Sequence, residues 1–488
     1  LHTLFPYTTP FRSRGNSTDL IILQEFIAQM SGVVPDTDFT DPQLLAMTGG
    51  EVLRRQTLIS LQDKRFESVK TAKRLMKSLT ETRLAGQLLI SIAQHRQAAI
   101  FSVPEDQAHI KYLSTMVDDA QRILTQFNDL LRSNLTVEEF DDLVPDTCEL
   151  MVDFGLDPAL AFTIGRPSFA YKMAGIGATE LPKEAVEANG VPAVIDIDGD
   201  IGMDAGAADD DVDMIKNPEA GTTDNAVEST PTSEDPWLEV LAPLIESVRV
   251  ALPDKPWGLL NPEFYVTFWQ LSLSDIQIPM DSYTIENARL TKEMAEIMKD
   301  RSDMTRPGMI RKEEARKAVE AIKEELLNES KDQMSQFGRN RSRLNKEKGK
   351  WFNNVNKRYD ALNDTLLEEC FLPRLLLSPS DADYSFKMVK FLHNSSTPHF
   401  RTLGLLARLF RGNRLRSIIF SCTIREAECF GRFLKLILGD LARWHASKAI
   451  YEKEAWGPNQ DLPGFAKSIH ETTSKPVRSE ERRVGKEC

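Results

Sequence analysis

The stretch from Ala108 to Leu131, AHIKYLSTMVDDAQRILTQFNDLL, decides the fold class. Its apolar residues Ile110, Leu113, Val117, Ala120, Leu124, Phe127 and Leu131 recur at alternating steps of three and four. That rhythm puts all seven on one stripe of an α-helix, whereas a strand would alternate every second residue. Just beyond it, Thr136 and Glu139 form a capping-box pattern ahead of the next helix. Upstream, Leu84–Phe101 is apolar on more than one side, through Leu88, Leu89, Ile90, Ile92 and Ala93. Such a segment is expected between helical neighbours. Further upstream, Thr18 can cap a helix whose inner face runs Leu23, Ile27 and Met30.

The same period continues downstream. Phe264, Phe268 and Leu271 share a helical face that Trp269 widens, which marks core rather than a ligand box. Met309–Phe337 reads as a long charged helix with a thin stripe (Ala315, Val319, Ile322, Leu326) and ion-pair spacing from Glu313 to Lys317. Ser380 is expected to cap a helix through Phe386, Val389 and Leu392. Thr397-Pro398 is expected to open another, with Phe400, Leu403, Ala407 and Phe410 inward. Thr423 and Glu426 give a second capping box, before Ile424, Ala427, Phe430, Leu434, Ile437, Leu441 and Trp444. No strict repeat period emerges. The expected fold is all-α, an irregular α-solenoid of stacked helical hairpins.

With 488 residues, 41% of them hydrophobic, the chain has ample material for a core. No apolar run approaches the ~20 residues that span a bilayer, so no membrane partner is expected. The first residues carry no charged-then-apolar leader, and secretion is not expected either. Five scattered cysteines without a CxxC pair argue against disulfide and zinc frameworks and for buried thiols in a reducing compartment. Of the net charge of −13, nearly all lies between Val191 and Asp235, where thirteen acids face one base, Lys216. That stretch is too poor in apolar surface to offset its ordering entropy and is expected to be a disordered acidic linker. It divides a first helical block, 14–190, from a second, 236–477, which contains the long charged helix 309–350. The end stretches 1–13 and 478–488 resemble translated sequencing-adapter sequence and are expected to contribute nothing to the fold.

Motifs of catalysis are scarce. The string from Asp196 to Gly202 resembles a calcium loop, but Ile201 and Ala207 stand where an EF-hand needs Gly and Glu. Gly175-Ile-Gly177 lacks the third glycine and the preceding strand of a dinucleotide loop. No P-loop, HExxH or GxSxG occurs. His393 and His399 flank a turn with no nucleophile beside them, and His445 ends a helix with no orienting partner evident. No enzyme activity, cofactor, metal or small-molecule substrate is therefore expected. One run does invite a ligand: Arg339, Arg341, Arg343, Lys346, Lys348 and Lys350 against the single acid Glu347. Such a run attracts phosphate backbones through counterion release, and Trp351 directly after it could stack on bases. The alternative is a solvated helix surface.

Three strings carry a resemblance. The first is Phe264-Tyr-Val-Thr-Phe-Trp-Gln-Leu-Ser-Leu273 before Asp275 and Pro279. The second is Cys370-Phe-Leu-Pro-Arg374, followed by Ser378 and Asp381-Ala382. The third runs from Ser421-Cys-Thr423 through Glu426-Ala427, Gly431-Arg-Phe433 and Arg443-Trp-His445 to Tyr451-Glu-Lys-Glu454. With His393 and Thr397-Pro398-His-Phe400, they resemble the second-subunit family of the THO complex. The first block is similar to the same family at Thr18–Leu23, Met47-Thr-Gly-Gly-Glu51, Gln94-His-Arg-Gln97 and Arg166-Pro167. The resemblance implies a nuclear helical scaffold that holds the other THO subunits and a DEAD-box RNA helicase on nascent mRNA, with no catalytic residues to carry over. The sequence departs from it at Leu403–Phe410, which lacks a Tyr-Asp pair before Arg408, and in the long acidic insert. Two other readings compete: a direct RNA-binding module using the basic run, and a helical nuclear transport receptor.

Overall fold

The computed structural model describes residues 39–61, 69–101, 109–179, 237–252, 257–300, 305–355, 358–457, 462, 466–469 and 476–478. The helix expected at Thr18, the calcium-loop-like string, the acidic linker, and 1–13 and 479–488 all lie outside the described residues. The first block contributes α1 (Asp41–Ala46), α2 (Glu51–Leu61), α3 (Val69–Glu81), α4 (Leu84–Ala98), α5 (Ile110–Asn134), α6 (Val137–Leu143), α7 (Thr147–Val152) and α8 (Pro158–Thr179). The second begins with α9 (Trp237–Ala251), α10 (Pro262–Gln270), α11 (Leu273–Ile276), α12 (Met280–Lys299) and α13 (Arg306–Glu347). It continues with α14 (Tyr359–Leu366), a π-helical turn (Leu367–Phe371), α15 (Leu372–Leu375), α16 (Pro379–Asn394), α17 (Thr402–Leu409) and α18 (Gly412–Ser421). Last come α19 (Ile424–Ala446), α20 (Lys448–Ile450) and a second π-helical turn, Tyr451–Trp456.

The described body is all-α, as the periodicity requires. One short antiparallel ladder is also described: β1 (Ala466–Ile469) pairs with β2 (Pro476–Arg478), Ile469 opposite Pro476. Helix lengths run from 3 to 42 residues, so no unit of constant size repeats among the described helices.

The stripe on α5 holds from Val117 onward, with Val117, Ala120, Leu124, Phe127 and Leu131 buried. Each such side chain contributes about 1.5–3 kcal/mol on burial, Ala less. Ile110, at the open end of the stripe, is 81% exposed. The capping box ahead of α6 is formed: Thr136 N–H donates to Glu139 Oε2 (2.9 Å) and Glu139 N–H to Thr136 Oγ1 (3.2 Å). The box at Thr423 and Glu426 is formed in the same way. Helix α4 lies so close to the end of α6 that a Cβ on Gly86 would meet the Leu143 carbonyl, and only glycine fits.

Three boundaries differ from the sequence expectation. Ser378, not Ser380, caps α16, its Oγ accepting from Asp381 N–H at 3.0 Å. The helix expected to open at Thr397-Pro398 begins at Thr402. There Thr397 N–H is engaged by the Leu392 carbonyl and Ser396 N–H by that of His393, with Ser396 left-handed (φ 51°). That pair of bonds is the Schellman closure of the preceding helix, so Thr397 ends α16 instead of starting α17. The long charged helix spans Arg306–Glu347, with Thr305 Oγ1 accepting from Gly308 N–H.

The two blocks share one core. A single cluster of buried apolar residues runs from Leu75, Leu89 and Phe127 through Phe162 to Phe268, Phe371 and Ile437. Outside it, α12 and α13 pair antiparallel into an arm with its own small core of Tyr283, Leu290, Val319 and Leu326, joined by Ala46 and Leu53 of the first block. At ~1.5 Å per residue, a 42-residue helix is about 63 Å long.

Candidate functional site: the junction, the arm and the basic run

Every residue of α10 from Phe264 to Gln270 is buried, so its last carbonyls cannot turn to water. The chain supplies them with two arginines from distant segments. Arg374, fully buried, donates to the carbonyls of Phe268 and Leu271, the latter at 2.6 Å, and its Nε meets Asp381 Oδ1 at 2.9 Å. Arg166, on α8 of the first block, donates to the Trp269 carbonyl (3.2 Å) and to the same Asp381 oxygen (2.9 Å). Tyr384 OH donates to the Phe268 carbonyl at 2.9 Å, and its ring lies 3.3 Å beneath the Arg374 guanidinium.

The electrostatics follow from this packing. Burial, aided by the neighbouring Arg166 charge, lowers the Arg374 pKa to about 10, so the side chain still carries its charge at neutral pH. Burial pushes Asp381 up, but Arg166, Arg374 and the Ser378 hydroxyl outweigh it and hold the carboxylate below its ordinary value. Two cations share one carboxylate and each also donates to backbone carbonyl oxygen, which makes a buried ion-pair network. It joins α8, the end of α10, α15 and α16.

A second polar cluster closes the far end of the core. His393 Nδ1 pairs with Thr402 Oγ1 (2.7 Å) and Nε2 with the Glu454 carbonyl oxygen (3.0 Å). Trp444 Nε1 and Arg443 both donate to the Glu454 carboxylate, and Lys390 pairs with Asp440 at 2.8 Å. Burial lowers the His393 pKa to about 4, so it is neutral at pH 7. These bonds latch the Tyr451–Trp456 turn to α16 and α19. They leave His393 no exposed edge for acid–base work. His399 lies in the turn between α16 and α17, stacked on Tyr359, and His445 is exposed.

The arm is braced at its base. Glu329 accepts from Val52 and Leu53 N–H at the start of α2 (2.6 and 3.1 Å), where the helix dipole favours an anion. Its carboxyl occupies the space a Cβ on Gly50 would need. Tyr283 OH donates to Gln333 Oε1 at 2.7 Å, and Gln333 in turn donates to the Thr48 carbonyl. Toward the tip, Met298, Met309 and Ile310 are exposed.

The basic run is divided by its own helix. Trp351 is 1% exposed and packs on Phe264 (ring centroids 5.2 Å) and Phe391, which corrects the expectation of a base-stacking platform. Arg343 is also buried, with Nε on Glu347 Oε1 at 2.7 Å and Nη2 near Thr267. Lys348 is half-buried and donates to the Ser395 carbonyl. Arg341, Lys346 and Lys350 are exposed and Arg339 half-exposed. At 100° per residue, Arg341 sits about half a turn away from Arg339 and Lys346, so the run presents no single cationic face. The sequence does not reveal this division, because charge alone does not say which side of α13 meets α10. The junction too escapes a sequence reading as a site, although Ser378-x-x-Asp381 is a capping signature that points to it.

Of the strings that carry the resemblance, 264–273, 370–374 and 381–382 meet at the junction, and 443–454 with His393 form the latch. Residues 257–483 match the family model described as transcription factor/nuclear export subunit protein 2. The chain is 30% identical over 470 residues to THO complex subunit 2 of Homo sapiens, across 96% of its own length and 26% of that protein's. It belongs to the THO complex subunit 2 family. The match to the Arabidopsis thaliana protein of the same name is 29% over 472 residues, and that to the Saccharomyces cerevisiae one 22% over 466. The chain spans about a quarter of the length of these curated relatives. Arg408, in the stretch where the sequence departs from the resemblance, meets Asp364 of α14. Its Oδ1 accepts from Arg408 Nε at 2.8 Å and from Arg414 at 2.6 Å.

Proposed function

We propose that this chain is part of a non-enzymatic scaffold subunit of a nuclear THO complex, which couples transcription to mRNA packaging and nuclear export. The similarity to proteins named THO complex subunit 2 over 96% of the chain carries this reading. The fold is consistent with it: one core ties together segments far apart in sequence, and a braced arm extends from it. Such a body holds partners at fixed separations. The partners are the other THO subunits and, following the family resemblance, a DEAD-box RNA helicase. Affinity purification of the tagged full-length protein from nuclear extract tests the reading. Recovery of the THO subunits supports it, and their absence would overturn it.

Binding to nascent mRNA is a second element of the proposal, resting on the exposure of Arg341, Lys346 and Lys350 and the half-exposure of Arg339. Replacing these four by Ala is expected to reduce the slope of log affinity against log salt for single-stranded RNA, by ~0.7 for every phosphate no longer neutralised. An unchanged slope removes this element and leaves the scaffold standing.

A further inference from the structure

Among the described helices of eight or more residues, α18 alone has no fully buried residue. It is held by half-buried Leu415 and Ile418, and by Arg414 pairing with Asp364 and Glu368. On its outer side, Arg416, Ile419 and Phe420 stand at i, i+3 and i+4, a spacing that gathers them on one face. Ile419 is 53% and Phe420 82% exposed, and Ile424 at the start of α19 extends the surface at 67%. Arg416 on that face and Arg411 at the N-cap of α18 are exposed, with no ion pair among the described residues.

Apolar side chains grouped in this way remain in water against a gain of ~25 cal/mol for each Å² that a partner would cover. An apolar centre with an Arg rim is the usual make-up of a protein-binding patch. We propose that the outer face of α18 and the start of α19 dock an acidic amphipathic segment of a partner protein. Its apolar side chains cover Ile419, Phe420 and Ile424, and its carboxylates meet Arg411 and Arg416. A single-stranded nucleic acid fits less well. Two of the three apolar groups are aliphatic and offer no ring for stacking. The proposal rests on the scaffold reading, because it supplies one of that scaffold's docking surfaces.

The test places a photo-crosslinking amino acid at position 420 of the full-length protein in its native nuclear assembly, with the adduct sequenced by mass spectrometry. The expected product is a peptide from another protein with acidic and apolar residues at helical spacing. Phe420→Asp and Arg416→Glu, both surface changes, are expected to lower recovery of that protein about tenfold while other THO subunits still co-purify. An adduct with RNA, with a basic peptide or with residues 191–235 of this chain overturns the proposal, as does no adduct at all. Loss of every THO subunit from the unsubstituted protein is instead a failure of the scaffold reading.

Discussion

The junction around Arg374 and the arm formed by α12 and α13 use charge in opposite ways. At the junction the charges are few, buried and shared: one carboxylate, Asp381, takes two guanidiniums that also bond three backbone carbonyls. Along the arm the charges are many, exposed and local, as in Arg316 with Glu313 and Glu320 or Arg289 with Glu286 and Glu293. Solvent screens pairs of this kind, and each adds little, whereas breaking a buried pair leaves a stranded charge. The difference separates what holds the two blocks together from what keeps a projecting helix pair soluble.

The largest expected effect tests the junction directly. Arg374→Ala leaves Asp381 with one cation fewer, removes the donor to the Leu271 carbonyl and leaves that of Phe268 with Tyr384 alone, and should destabilise the body by about 3–5 kcal/mol in denaturant unfolding. A loss below ~1 kcal/mol would mean that water enters the site and the network is dispensable.

A pH series sharpens the same contrast at the latch. His393 has a folded pKa of about 4 against 6.5 for the free side chain, so the unfolded chain binds the extra proton between those values. The stability it confers is complete above pH 6.5 and is lost as pH falls toward 4. Between pH 7 and pH 5 the expected loss is on the order of 2 kcal/mol, and His393→Asn should flatten that part of the profile. Equal pH dependence in both proteins contradicts the assignment.

A smaller effect is expected at the base of the arm. Glu329→Ala strips the start of α2 of its acceptor and should cost about 1–2 kcal/mol, localised there. Hydrogen exchange is expected to speed up over 41–61 and to stay unchanged over 379–394; uniform acceleration would instead tie the arm to the core. At the tip, Ile310→Ala should change stability by no more than ~0.5 kcal/mol, and a larger loss would reveal packing hidden in the arm.

Legibility followed the range of the interaction. The stripe on α5 and the boxes at Thr136 and Thr423 involve residues three or four apart, and those positions were readable in order. Thr397-Pro398 has the outward form of a helix start, yet its N–H was already engaged in closing α16. The basic run was readable as charge but not as surface, since the burial of Arg343 and Trp351 depends on where α10 lies. The junction was visible as unusual strings such as Cys370-Phe-Leu-Pro-Arg374 and the cap at Ser378-x-x-Asp381, which do not say what they touch.

Sequence alone determined that the chain is helical, where the helices capped by Thr136 and Thr423 begin, and which family its strings resemble. These rest on the i to i+4 geometry of the backbone and on local capping, which act within one or two turns. Only the tertiary structure decided that both blocks share one core and which cations are held inside it. Those outcomes depend on pairs such as Arg166 and Asp381, 215 residues apart, whose meeting is set by how whole helices pack.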